Sequence, residues 1–75
     1  MFSEKIFAER LKVLRQSQNL TLQQLGEKLG ATKATIGNLE NCNKQPSMTM
    51  VIKIAEYFNV SVDYLLGLSD DRNRK

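Results

Sequence analysis

Two amphipathic segments of this chain are separated by only three residues, Gly30-Ala31-Thr32. Leu22, Leu25 and Leu29 mark an apolar face at helical spacing before the break, and Ile36 and Leu39 mark another after it. So short a connection cannot let the second helix run back along the first, so the two must cross steeply. A steep crossing needs a small residue where the backbones approach, which Gly26 supplies. It also needs a residue that tolerates a left-handed turn, which Gly30 supplies. Ile36 and Leu39 then anchor the second helix to a core, leaving Thr32, Lys33, Ala34, Gly37 and Asn38 on its outer side.

Helical periodicity continues on both sides of this corner. Phe7, Leu11 and Leu14 predict a first helix, with Ser3 as its N-cap and Phe2 stapled on Phe7. The polar run Gln16 to Asn19 ends it. Thr21 and Gln24 form a capping box for the second helix, between staple positions Leu20 and Leu25. Thr32 caps a third, and Ser47 a fourth with the apolar face Val51, Ile54, Ala55 and Phe58. Ser61 caps a short fifth helix that Gly67 closes, with Val60 and Leu65 stapling it. Met48 and Met50 read as core filling. The expected fold class is therefore all-α, a compact five-helix domain over residues 1–67, with a short charged tail, 68–75, that frays. Seventy-five residues allow one hydrophobic core and no second domain.

Counting removes several functions. The chain has no histidine and one cysteine, Cys42, which excludes a zinc finger, a histidine-based triad and a disulfide framework. It offers no nucleophile–base pair, metal-ligand cluster or phosphate loop, so no enzyme and no cofactor is expected. A lone thiol suits a reduced, cytoplasmic setting, and Cys42 reads as inert rather than as a redox switch. No leader opens the chain and no apolar run approaches the ~20 residues of a membrane span. The whole chain carries +3, and over residues 1–67 eight basic side chains face six acidic ones, leaving +2. A field that weak does not hold a polyanion by charge alone.

The ordered motifs carry a resemblance. Arg10-Leu11-Lys12-Val13-Leu14-Arg15, Leu20-Thr21-Leu22-Gln23-Gln24-Leu25-Gly26 and Leu29-Gly30-Ala31-Thr32 lead into Ile36-Gly37-Asn38-Leu39-Glu40-Asn41. Lys44-Gln45-Pro46-Ser47 and Val60-Ser61-Val62-Asp63-Tyr64-Leu65-Leu66-Gly67 complete the set. Together they resemble the Cro/lambda-repressor-type helix-turn-helix domains of phage and bacterial regulators, over about residues 6–67, with the helix-turn-helix at about 21–41. The resemblance implies a sequence-specific DNA-binding transcriptional regulator, a repressor that binds an inverted-repeat operator as a homodimer. It implies base readout by Thr32, Lys33, Ala34 and Asn38. Lysine suits guanine, asparagine suits adenine, and an alanine or threonine methyl suits the thymine methyl. Phosphate contacts are implied for Gln23, Thr35, Asn41, Asn43 and Lys44. Arg15 and Glu40 match a family pair that braces the reading helix. Tyr64, Leu65 and Leu68 are read as dimer contacts, ahead of the alternative that they finish the core. Expected partners are double-stranded DNA and a second copy, with no membrane and no small-molecule effector.

Three residues depart from the family pattern. Leu22 stands where a phosphate-touching glutamine is usual, and Gly26 where alanine is usual, at a helix cost of about 0.5–1 kcal/mol. Cys42 replaces a glycine in the loop, so the loop is expected to rearrange, or Asn41 or Asn43 to take the left-handed turn. Leu22 and the bare Gly37 keep a rival open: a protein-interaction module, such as an antitoxin, on the same fold.

Overall fold

Every helix begins on a hydroxyl side chain and ends at a backbone reversal. The computed structural model describes residues 3–73. It runs α1 (Glu4–Ser17), α2 (Leu22–Leu29), α3 (Lys33–Glu40), α4 (Met48–Phe58) and α5 (Val62–Leu65), with no strand among the described residues. Ser3, Thr21, Thr32, Ser47 and Ser61 are the N-caps, each accepting from the backbone N–H three residues on. Each such bond satisfies a donor the helix itself leaves free, and is typically worth about 1 kcal/mol. At Thr21 the capping box closes reciprocally: the Thr21 N–H donates to Gln24 Oε1 at 2.9 Å, and the Gln24 N–H to Thr21 Oγ1 at 3.1 Å. The expected staple on Phe2 lies outside the described residues. α1 reaches Ser17, one residue beyond the start of the polar run expected to end it.

The helix ends are equally uniform. Asn19, Gly30, Cys42, Asn59 and Gly67 have φ of 56, 70, 61, 56 and 79°. Each follows a helix, and the next N–H reaches back to the carbonyl five residues earlier. These bonds run from Leu20 to Arg15, Ala31 to Gly26, Asn43 to Asn38, Val60 to Ala55 and Leu68 to Asp63. This is the Schellman arrangement, which glycine accepts freely and asparagine at modest cost. Cys42 is the exception, and it corrects the expectation that the loop would rearrange or that Asn41 or Asn43 would turn. Asn41 stays at φ −99°, while the 2.9 Å bond from Asn43 N–H to the Asn38 carbonyl puts the reversal on Cys42 itself.

The core draws on all five helices: Phe7, Leu11, Leu25, Ile36, Ile54 and Leu65 are at most 1% exposed. Burying side chains of this size is worth about 1.5–3 kcal/mol each. Leu22 and Met50 pack against this core while only half-buried. Met48 does not belong to it: at 68% exposure it corrects the reading of both methionines as core filling. At the α2–α3 corner a Cβ on Gly26 would lie 2.9 Å from the Ala31 carbonyl oxygen and 3.0 Å from the Thr32 carbonyl carbon. Backbone has no room to give there. Glycine is thus required by the approach of α2 to the start of α3, whatever its helix propensity.

The segment after Gly67 makes specific contacts back to the helices over the described residues. Ser61 N–H donates to the Arg72 carbonyl at 3.0 Å, and Ser61 Oγ donates to the Asp71 carbonyl at 3.1 Å. From α1, the Arg10 guanidinium donates to the carbonyls of Tyr64 and Ser69 and to the Asp70 carboxylate. The tail is clasped onto the first and last helices, a long-range contact that charge composition could not show.

Candidate nucleic-acid interface

The Gly26–Gly30 corner and the Thr32 cap together set the direction of α3. Its inner face is fully engaged, with Ile36 and Leu39 buried. Its outer face is bare: Thr32, Lys33, Ala34 and Asn38 are exposed, and Thr35 is half-buried. The Thr32 hydroxyl accepts from the Thr35 N–H at 3.1 Å and lies 3.0 Å from the Thr35 hydroxyl, so both threonines also shape the helix start. A short helix pinned on one side and open on the other can enter a groove about 12 Å wide.

Residues expected near phosphate surround this face. Gln23 is exposed at the start of α2, and Asn41, Asn43 and Lys44 are exposed in the loop after α3. That loop is fastened to the start of α1, where Gln45 Nε2 donates to Glu4 Oε1 at 2.7 Å. The exposed Cys42 thiol sits 3.8 Å from the Glu4 carbonyl oxygen. No acid other than Glu40 lies between Gln23 and Lys44 except Glu27, on α2.

Behind α3 lies an ion pair. Arg15 Nε donates to Glu40 Oε2 at 2.7 Å and Arg15 Nη2 to Glu40 Oε1 at 3.0 Å, while Nη1 donates to the Leu20 carbonyl at 2.8 Å. The side chains are 13% and 6% exposed, so most of the pair is shielded from water. Hydrogen bonding to Glu40 raises the Arg15 pKa further above its ordinary value, outweighing the lowering effect of burial. A two-pronged contact of this kind fixes direction as well as distance. It joins α1 and the α1–α2 turn to the last residue of α3.

The expected dimer contacts separate. Leu65 is fully buried in the core, so it cannot meet a second subunit, and this corrects its assignment. Its membership of the core cluster, with Phe7, Leu11 and Val60 among others, makes it a packing residue. Tyr64 is half-buried, with the Arg10 guanidinium 4.1 Å from its ring centroid and that of Arg72 at 5.6 Å. Leu68 remains 52% exposed. Arg10 was not singled out for a role by the sequence; its cation–π and carbonyl partners lie 54 to 59 residues away, beyond any local pattern.

The helix-turn-helix family model matches residues 11–65. The chain is 40% identical over 70 residues to the uncharacterized HTH-type transcriptional regulator YobD of Bacillus subtilis, covering 93% of this chain and 62% of YobD. Among solved structures, the N-terminal DNA-binding domain of SinR from Bacillus subtilis superimposes with a TM-score of 0.75 at 28% identity, covering 83% of this chain and 91% of that one. The P22 c2 repressor, in complex with a synthetic operator, reaches 0.79 at 22% identity over 85% and 97% of the two chains, a likeness of fold. No helix among the described residues is long and apolar enough to cross a membrane. With its five capped helices and its Gly26–Gly30 corner, the chain belongs to the Cro/lambda-repressor-type helix-turn-helix family of transcriptional regulators.

Proposed function

We propose that this protein is a cytoplasmic repressor that binds an inverted-repeat operator in double-stranded DNA as a homodimer, without a cofactor or small-molecule effector. The observation that carries this reading is the bare outer face of α3, backed by the shielded Arg15–Glu40 pair. In such domains the N-terminal part of the second helix reads base edges in the major groove, and the first helix crosses the phosphate backbone. Lys33 and Asn38 are the polar readers, and Ala34 and the Thr32 methyl the apolar ones. Gln23, Thr35, Asn41, Asn43 and Lys44 hold phosphate, and Arg15 with Glu40 keeps α3 in register. The kinship with transcriptional regulators and the fold shared with an operator-bound repressor support the assignment.

Dimerisation follows from information content, since three or four bases read by one subunit cannot single out a site in a genome. Leu68, exposed beside α5, is the contact that remains from the expected set, with Tyr64 at its edge. The two α3 helices would then lie about 34 Å apart, one helical turn of the duplex.

Selection against a random duplex library at two salt concentrations tests the reading. Enrichment of an inverted repeat with half-sites about 10 bp apart supports it. No enrichment at either salt would instead favour a module that uses the outer face of α3 on a protein.

A further inference from the structure

Four glycines occur in the chain, and three have reasons inside the fold. Gly26 faces backbone at 2.9 Å, while Gly30 and Gly67 hold φ of 70 and 79°. Gly37 has neither reason. Its φ is not in the left-handed region, and a Cβ there would meet only Leu22 Cδ1, at 3.8 Å, an ordinary van der Waals distance. Yet it sits in the middle of an eight-residue helix, where glycine is the poorest residue short of proline. Nothing within the subunit demands it.

We propose that Gly37 is where the sugar–phosphate backbone of the bound duplex comes against α3, so that its missing side chain is a requirement of the complex. This rests on the DNA-binding reading above. Gly37 is half-buried and lies on the side of α3 facing Leu22, the first residue of α2. In a helix-turn-helix that first helix is the one that crosses the backbone. Lys33 and Ala34, by contrast, stand in the first turn of α3, where base edges are read. Gly37 is therefore a positioning residue: it sets how deeply α3 enters the groove and adds no preference for any base. The half-buried Leu22 forms the apolar floor beside it, in place of a polar side chain.

The experiment compares wild type, Gly37→Ala and the double variant Leu22→Ala/Gly37→Ala. Each is measured for thermal melting and for binding to the selected operator and to its single-base variants. Gly37→Ala is expected to raise the melting temperature by about 2–8 °C, because alanine favours the helix. It is also expected to weaken the operator and every single-base variant by the same factor, about tenfold, as when a methyl is forced into a packed contact. Unchanged or tighter binding by Gly37→Ala overturns the proposal, as does a changed base preference at any one position. Recovery of affinity in the double variant also overturns it, because the obstruction would then be Leu22 and not DNA. Failure of wild type to enrich any duplex would overturn the DNA-binding reading and this inference together. Enrichment by wild type with equal binding by Gly37→Ala would remove this inference alone.

Discussion

Replacing Glu40 with alanine tests the brace behind α3. The substitution leaves Arg15 Nε and Nη2 without their acceptors at 2.7 and 3.0 Å, in a site where the arginine side chain is only 13% exposed. Breaking a buried pair by removing one partner typically costs about 3–5 kcal/mol, because the surviving charge is left uncompensated. Two features place this pair at the lower end of that range. Arg15 keeps its bond to the Leu20 carbonyl, and its side chain, at 13% exposure, is not wholly cut off from water. The expected loss is about 3 kcal/mol. For a domain of this size, total stability is on the order of 4–11 kcal/mol, so the variant should remain folded at low temperature. A loss of 3 kcal/mol lowers the melting temperature by about 12–24 °C.

Urea denaturation at pH 7 and 25 °C measures the cost directly, with operator affinity determined on the same samples at a temperature where the variant is folded. Neutral pH is a safe choice for the arginine. Hydrogen bonding to Glu40 holds its folded-state pKa above the ordinary arginine value, so its contribution is fully present below that ordinary value and fades only as pH climbs through the raised one. A second variant, Arg15→Met/Glu40→Leu, separates stability from register. An apolar pair of similar volume is expected to restore most of the stability, but it lacks the two parallel bonds that direct α3. Operator affinity should therefore stay below wild type. A loss under about 0.5 kcal/mol for Glu40→Ala would refute the reasoning, since that is the range of a solvent-screened surface pair.

Three other substitutions test the corner, the loop and the reading face. Gly26→Ala gains in helix propensity but drives a methyl against the Ala31 carbonyl oxygen at 2.9 Å. A net loss of about 1–3 kcal/mol in urea denaturation is expected, and a gain would mean the α2–α3 approach is not rigid. Cys42→Gly relieves a left-handed β-carbon at φ 61° and should stabilise the fold by about 0.5–1 kcal/mol, read as a higher melting temperature. A lower melting temperature would show that the exposed thiol contributes more than its backbone costs. Lys33→Ala should weaken the selected operator by about 1–3 kcal/mol and relax preference at one base pair. Equal weakening on all duplexes would make Lys33 a phosphate contact.

What the sequence disclosed here divides by range of interaction. All five N-caps were legible because a cap is a contact between residues three apart, and so was the turn at Gly30. The same C-terminal motif at Asn19 and Asn59 passed unnoticed, although asparagine after an apolar helical run is its usual signature after glycine. Cys42 was misjudged for a different reason. Propensity pointed to a rearranged loop or to a reversal at a neighbouring asparagine, whereas α3 ends at Glu40 and the reversal falls on Cys42. Burial by spacing also reached its limit at the chain's edges. Leu65 and Leu68 look alike in sequence, yet one is fully buried and the other 52% exposed, because the packing of α5 on α1 decides between them.

The Arg15–Glu40 pair shows what family resemblance supplies that local chemistry does not. Arginine and glutamate 25 positions apart have no local reason to meet, and only the likeness to related regulators paired them. Arg10 had no such guide, so its clasp on the Tyr64, Ser69 and Asp70 segment was invisible. Gly26 and Gly37 make the sharpest contrast. Both are helical glycines at the helix-turn-helix, and propensity charges both the same penalty of up to about 1 kcal/mol. Their surroundings separate them: one is pressed against backbone within its own subunit, the other meets only a leucine methyl at an ordinary van der Waals distance. A penalty that the fold explains belongs to stability. A penalty that the fold leaves unexplained, on the face offered to DNA, belongs to whatever approaches from outside.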